Sequence, residues 1–122
     1  MASSGVASAS LIDRDSLLET SLLWWKNHFD QTILSAARKG DLEVFFSITF
    51  SNGWREIIKL LIRMAKENRL GFIRVTNPES GPRKLECFPH DYLNLLPEDH
   101  TFDDFKLYES DKSIRIGLTW GS

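Results

Sequence analysis

From Leu42 to Phe50 the chain alternates: Leu42, Val44, Phe46, Ile48 and Phe50 are separated by Glu43, Phe45, Ser47 and Thr49. A period of two predicts a strand with one fully apolar face. On both sides of it the period becomes helical. Upstream, Leu18, Leu22, Trp25, Phe29, Ile33 and Ala36 recur at three- and four-residue intervals, a stripe along one side of a helix. Ser16-Leu17-Leu18-Glu19 has the form of a capping box, so this helix is expected to start at Ser16. Gly40, after the basic Arg38 and Lys39, ends it. Downstream, Ser51-Asn52-Gly53 is a turn able to cap a second helix from Trp54 to Arg69. Ile57, Ile58, Leu61, Met64 and Ala65 form its apolar face, flanked by Leu60 and Ile62. Gly71 is expected to take a left-handed conformation at its C-terminus, with Leu70 and Phe72 closing round it.

Phe72–Thr76 then reads as a short strand, and Asn77-Pro78-Glu79-Ser80-Gly81-Pro82 as a loop. Lys84–Phe88 reads as a returning strand and Pro89–Asp104 as irregular chain. Phe105–Glu109 and Ile114–Trp120 have the pattern of a hairpin across Ser110-Asp111-Lys112-Ser113. Ile114, Ile116, Leu118 and Trp120 share one face; Arg115, Gly117 and Thr119 share the other. The order α-β-α-β-β-β-β predicts a two-layer α/β sandwich, with both helices on one face of a mixed sheet of four or five strands. Strand, helix, strand in succession permits a parallel crossover. The opposite face, with Glu43, Ser47, Thr49, Arg115 and Thr119, is expected to be wet, interrupted by Phe45.

Composition narrows the class without naming a chemistry. A chain of 122 residues is the size of one domain. Residues 1–10 are Ala-, Ser- and Gly-rich and read as a flexible arm; residues 11–122 read as a single domain. The arm has neither a basic start nor an apolar centre, so it does not read as a secretory signal. No apolar run approaches the roughly 20 residues of a membrane span. One cysteine, Cys87, excludes an internal disulfide and fits a reducing compartment. The expectation is an intracellular protein, cytoplasmic or nuclear. A formal net charge of −2 gives no global reason to bind nucleic acid, which would need a local patch.

Such a patch exists on the second helix. At about 100° per residue, Arg55, Lys59, Arg63, Lys66 and Arg69 fall within about 120°, with Glu56 and Glu67 at the edge. This is a phosphate-binding stripe or a solvated helix face laced by Glu56–Lys59 and Arg63–Glu67 pairs. No aromatic residue interleaves it, so it is no base-stacking surface. Glu98, Asp99, His100, Asp103 and Asp104, with His90 and Asp91 upstream, are the residue types of a metal site or an acid–base pair, but their spacing matches no ligand signature. Cys87 in a strand beside Phe88 reads as an inert thiol. No cofactor is implied.

Leu22-Leu23-Trp24-Trp25 is the most suggestive run, because four large apolar residues wrap round a helix and only about half can face the sheet. Trp25 belongs to the core stripe, and Trp24 lies about 100° away beside Leu17. Trp24 is either a boundary residue under a loop or an interface anchor. Leu17, Trp24 and Phe45 are therefore the partner-binding expectation. Basic residues on the second helix and acids over Glu98–Asp111 also permit charge-driven self-association.

One further comparison rests on pattern. A helix ending Ala36-Ala37-Arg38-Lys39-Gly40 leads into an alternating strand; a later helix closes Leu70-Gly71-Phe72; and Ile114-Arg115-Ile116-Gly117-Leu118-Thr119-Trp120 ends the chain. Over Gln31–Trp120 this resembles small α/β proteins of unknown role encoded by large DNA viruses and phages. The resemblance implies a viral origin and carries over no functional residue. The expectation is a non-enzymatic protein-interaction or structural module, a virion component or host-interaction factor, with a homo-oligomer or larger assembly as its context. The alternatives are a nucleic-acid-binding regulator using the basic helix and a small metal-dependent hydrolase.

Overall fold

The computed structural model describes residues 12–51, 53–76, 84–101 and 113–121. The expected arm at residues 1–10 and the strand Phe105–Glu109 lie outside them. Helix α1 (Arg14–Arg38) leads to strand β1 (Glu43–Thr49), helix α2 (Trp54–Asn68), strand β2 (Gly71–Thr76), strand β3 (Lys84–Phe88), the single-turn helix α3 (His90–Leu93) and strand β4 (Ser113–Thr119).

Helix α1 starts two residues before the expected point. Asp13 is its N-cap, and the Asp13 carboxylate accepts the Ser16 amide at 2.8 Å. Asp caps a helix as well as Ser does and here comes first in the chain, so Ser16 is drawn into the opening turn. At the other end Gly40, at φ 90°, donates to the Ala37 carbonyl while the Asp41 amide reaches the Ala36 carbonyl. These two bonds stop the helix as the sequence suggests.

Helix α2 starts at Trp54, after the expected turn, and departs from expectation at its C-terminal end. Its N-cap is Gly53, at φ 93°, and no side chain makes a cap bond. Its left-handed C-cap is Arg69, at φ 59°, with the Leu70 amide bonded to the Ala65 carbonyl. Gly71 instead opens β2. A β-carbon there would stand 2.8 Å from Thr119 Cγ2, so Gly71 is required by the close approach of β4 rather than by its own backbone angle.

The sheet order is β1-β4-β2-β3, and every bonded pair is antiparallel. Strands β1 and β2 do run the same way, as a crossover through α2 requires, but β4 lies between them. The sheet is thus antiparallel throughout its described pairs rather than mixed. Both long edges of β4 are taken, by β1 and β2. The physical reason lies in its sequence: Ile114, Ile116 and Leu118 are all buried, and a strand with three such residues on one face gains most from a central place.

Directly opposed residues share a face. The rows Val44–Leu118–Phe72–Phe88 and Phe46–Ile116–Arg74–Glu86 therefore face the helices. Phe29 of α1 meets Phe46 edge-on at 4.7 Å between ring centres. Ile58, Leu61, Ile62 and Ala65 bring α2 onto the same layer, and Leu93 of α3 closes one side. Each fully buried large side chain contributes about 1.5–3 kcal/mol. Leu60 and Ile62, expected at the flank of α2, are core residues: α2 is covered by the sheet and by α1 on adjoining sides.

One residue in those rows is not apolar. Arg74, in a central strand and facing the helix layer, is 7 % exposed. Its Nη2 donates to both Glu86 carboxylate oxygens at 2.9 Å, and its guanidinium lies 5.7 Å from the Phe88 ring centre. The cross-strand register puts the two charges side by side, which is what makes burial of the cation tolerable.

Candidate interaction surfaces

Helix α1 is 25 residues long, yet only Phe29 and Ala36 in it are buried. Leu22, Trp25 and Ile33 are half-buried against the core, as their spacing suggests. Of the remaining large apolar residues of its N-terminal half, Leu18 is half-buried and Leu17, Leu23 and Trp24 are exposed. Leu17 is 50 % exposed and Trp24 60 %. They stand seven residues apart, so they share one strip of the helix about 10 Å long.

Trp24 is not loose. Its indole stacks on the His28 imidazole, 5.2 Å between centres and 11° between planes, and meets Trp25 edge-on at 5.0 Å. Trp25 in turn lies 5.5 Å from Phe29. A chain of ring contacts thus runs from the exposed Trp24 through Trp25 to Phe29 and Phe46 in the core. A side chain held by neighbours loses little further freedom on docking, which favours its use as an anchor.

Within the middle of α1 the charges lie away from this strip, although Arg14 and Arg38 at its two ends fall within about 80° of it. Between Ser16 and Ala37 the acidic and basic residues are Glu19, Lys26 and Asp30. By helical geometry they fall within about 40° of one another and about 180° from Leu17 and Trp24. Lys26 and Asp30 pair there at 3.0 Å. Around Leu17 and Trp24 lie Thr20, Ser21, Gln31 and Ser35, with the imidazole of His28. The sequence run Leu22–Trp25 pointed to an excess of apolar surface here; it did not expose the charge sorting, which emerges only when the whole helix is laid out.

Two grooves flank α1. One, of about 440 Å³, lies between its N-terminal half and α2 and is lined by Leu18, Leu22, Leu23 and Leu60 with Asp15 and Arg63. The other, of about 350 Å³, lies between its C-terminal half and the start of β1 and is lined mainly by polar side chains, Gln31, Thr32 and Ser35 among them. Leu18, expected in the core stripe, is half-buried and lines the first of these grooves, between α1 and α2.

The basic stripe of α2 is largely engaged within the molecule. Lys66 donates to the Leu96 carbonyl at 2.7 Å, fastening the segment after α3. Lys59 lies 3.5 Å from Glu56. The Arg55 guanidinium sits 4.4 Å from the Trp54 ring centre. Arg69 is the helix cap. Arg63 is exposed beside the leucine-lined groove. Helical spacing alone brings the five together; it does not report that three of them already have intramolecular contacts.

Phe45, the third expected anchor, stands apart from Leu17 and Trp24 on the other sheet face. It is half-buried: the ring lies across Gly117, with the Arg115 guanidinium 5.2 Å from its centre. Ile73 and Val75 on that face are buried too, so the face is less wet than its polar residues suggest. Cys87 is exposed. His90 Nε2 lies 2.9 Å from Asp91 Oδ1, and Asp103 and Asp104 fall outside the described residues. Among the described residues no three His, Cys, Asp or Glu side chains are placed to hold a metal ion, and no helix is long and apolar enough to cross a membrane.

The geometry thus offers a fixed apolar strip on α1 and two grooves beside it. No family model, no curated protein and no solved structure matches the chain.

Proposed function

We propose that this chain is a non-enzymatic protein-interaction module and that the Leu17–Trp24 strip of α1 is its docking face. The observation that carries the reading is Trp24, 60 % exposed and held in place by stacking on His28. Large, rigid, exposed aromatic residues on an uncharged surround are the usual anchors of protein interfaces. The basic face of α2 supports a nucleic-acid reading less well, because Lys66 and Lys59 are spent on internal contacts. The resemblance to small virus-encoded proteins makes a virion component or host-interaction factor the setting of this proposal, in the cytoplasm or nucleus of a cell.

The test is a photo-crosslinker, p-benzoyl-phenylalanine, placed at position 24 and, as a control, at position 59. The reading expects protein adducts from position 24 and few from position 59. Adducts confined to position 59, or nucleic acid captured there, would reject it.

A further inference from the structure

We infer that Thr119, Trp120 and Gly121, at the end of β4, clasp the corner where α1 turns into β1, and that this clasp sets the angle at which α1 leaves the sheet. The inference rests on the fold and not on the docking reading of α1.

Helix α1 has a narrow footing. It lies against β1 and α2, and its ring contact with the sheet, Phe29 on Phe46, falls on β1. Among the described strands β1 pairs with β4 only, so it is an edge. Its first register pair, Glu43 with Thr119, stands at the end nearest α1. Chain ends and strand ends are the first places to open, and here the end carries a helix of 25 residues. At about 1.5 Å per residue that helix reaches about 37 Å from its corner, so about 10° of play there moves its first turn by about 6 Å.

β4 closes this weak point just beyond the ladder. The Leu42 carbonyl accepts two hydrogen bonds from it, one from the Trp120 amide at 3.0 Å and one from the Thr119 hydroxyl at 3.1 Å. The Thr119 hydroxyl in turn accepts the Gly121 amide at 3.3 Å, so the three residues act as one hook. A β-carbon on Gly121 would stand 2.8 Å from Leu42 Cβ, and glycine is what lets the two chains come this close. On its other side Thr119 Cγ2 fills the space above Gly71, at the start of β2. One residue thereby braces the corner after α1 against the corner after α2.

The clasp is at the surface, since Leu42 is 59 % exposed. Hydrogen bonds in such a place open at little cost. The buried Ile114 and Ile116, which hold β4 in the sheet, lie further along the strand. The corner can thus loosen while the sheet stays intact, and α1 then swings about its remaining contact with α2.

Two spin labels on the full chain read the angle directly, at Glu19→Cys on α1 and Ser47→Cys on β1, with Cys87→Ser. All three positions are exposed, so the replacements leave the core alone. Pulsed electron–electron double resonance gives the distance distribution, and amide exchange by NMR reads the corner at Gly40 and Asp41. The expected result is a narrow distribution when the clasp is unchanged. Thr119→Val removes one bond to Leu42, and Gly121→Val forces the two chains apart. Both broaden the distribution and quicken exchange at Gly40 and Asp41, by about fivefold for Thr119→Val, the worth of one hydrogen bond. Amides of the β1–β4 ladder beyond Phe46 keep their protection. Thr119→Val keeps the shape of the side chain, so the test stands should Gly121→Val fail to fold. A broad distribution before any change to the clasp overturns the inference, as does one that neither variant alters. Broadening in which the ladder amides lose protection equally also overturns it, because the whole sheet has then loosened.

Discussion

The ring of Phe45 lies across Gly117 of the neighbouring strand, with Cε1 2.7 Å and Cδ1 2.8 Å from where a β-carbon on Gly117 would stand. The two residues are direct cross-strand partners, and Ile73 faces Gly117 from the other side. Glycine is needed here for space. Gly117→Ala is expected to lower stability by about 1–3 kcal/mol, the cost of overpacking a filled site. Urea unfolding of Gly117→Ala, Phe45→Ala and the double variant checks this. The double variant should lose less than the sum of the singles, because removing the ring makes room for the methyl group.

Glu86 holds the buried Arg74 from the adjacent strand. Removing the carboxylate takes the 2.9 Å ion pair away from a cation that stays in the helix-facing layer. Glu86→Ala is expected to cost about 2–3 kcal/mol, the lower end for a broken buried pair because Glu86 itself is partly exposed. The double replacement Arg74→Met, Glu86→Leu should recover most of that loss. Thermal or urea unfolding of both variants decides; equal losses would mean that replacing Arg74 along with Glu86 recovers nothing.

Helix α1 presents the docking strip, and Asp13 anchors its first turn. Asp13→Ala should cost about 1 kcal/mol and increase amide exchange over the turn that precedes Leu17. Ser16→Ala, at the residue that the capping-box pattern favours, should cost less than half as much. The reverse order would return the cap to Ser16.

Arg69 occupies a left-handed backbone conformation that glycine adopts at no steric cost. Arg69→Gly is therefore expected to raise stability by about 0.5–1 kcal/mol, an unusual gain for removing a side chain from a helix end. A fall in stability on unfolding in urea would show that the arginine side chain contributes more than its backbone costs.

Much of the fold was legible in the sequence because burial and periodicity coincide there. The alternation of Val44, Phe46 and Ile48 and the spacing of Ile58, Leu61 and Ala65 are direct consequences of one apolar face meeting one core. What could not be read was non-local. The insertion of β4 between β1 and β2 depends on comparing strands, and nothing near Ile114 announces which neighbours it takes. The burial of Arg74 is another such case, since only the register with Glu86 reveals its partner. At Gly71 and Arg69 a local rule, glycine at the helix end, competed with the approach of Thr119 and lost. For the site, the excess of apolar residues at Leu22–Trp25 was visible, and so was Trp24. Phe45 was visible on the polar sheet face, but sequence gives no hint that Gly117 offers it a seat.

The most direct test of the docking face is the stability of Trp24→Ala in dilute solution. If Trp24 serves recognition, urea unfolding should show a loss below about 1 kcal/mol, the worth of its ring contacts with Trp25 and His28. A loss of about 3 kcal/mol or more, the cost of truncating a core aromatic residue, would place Trp24 in the service of the fold and contradict the account.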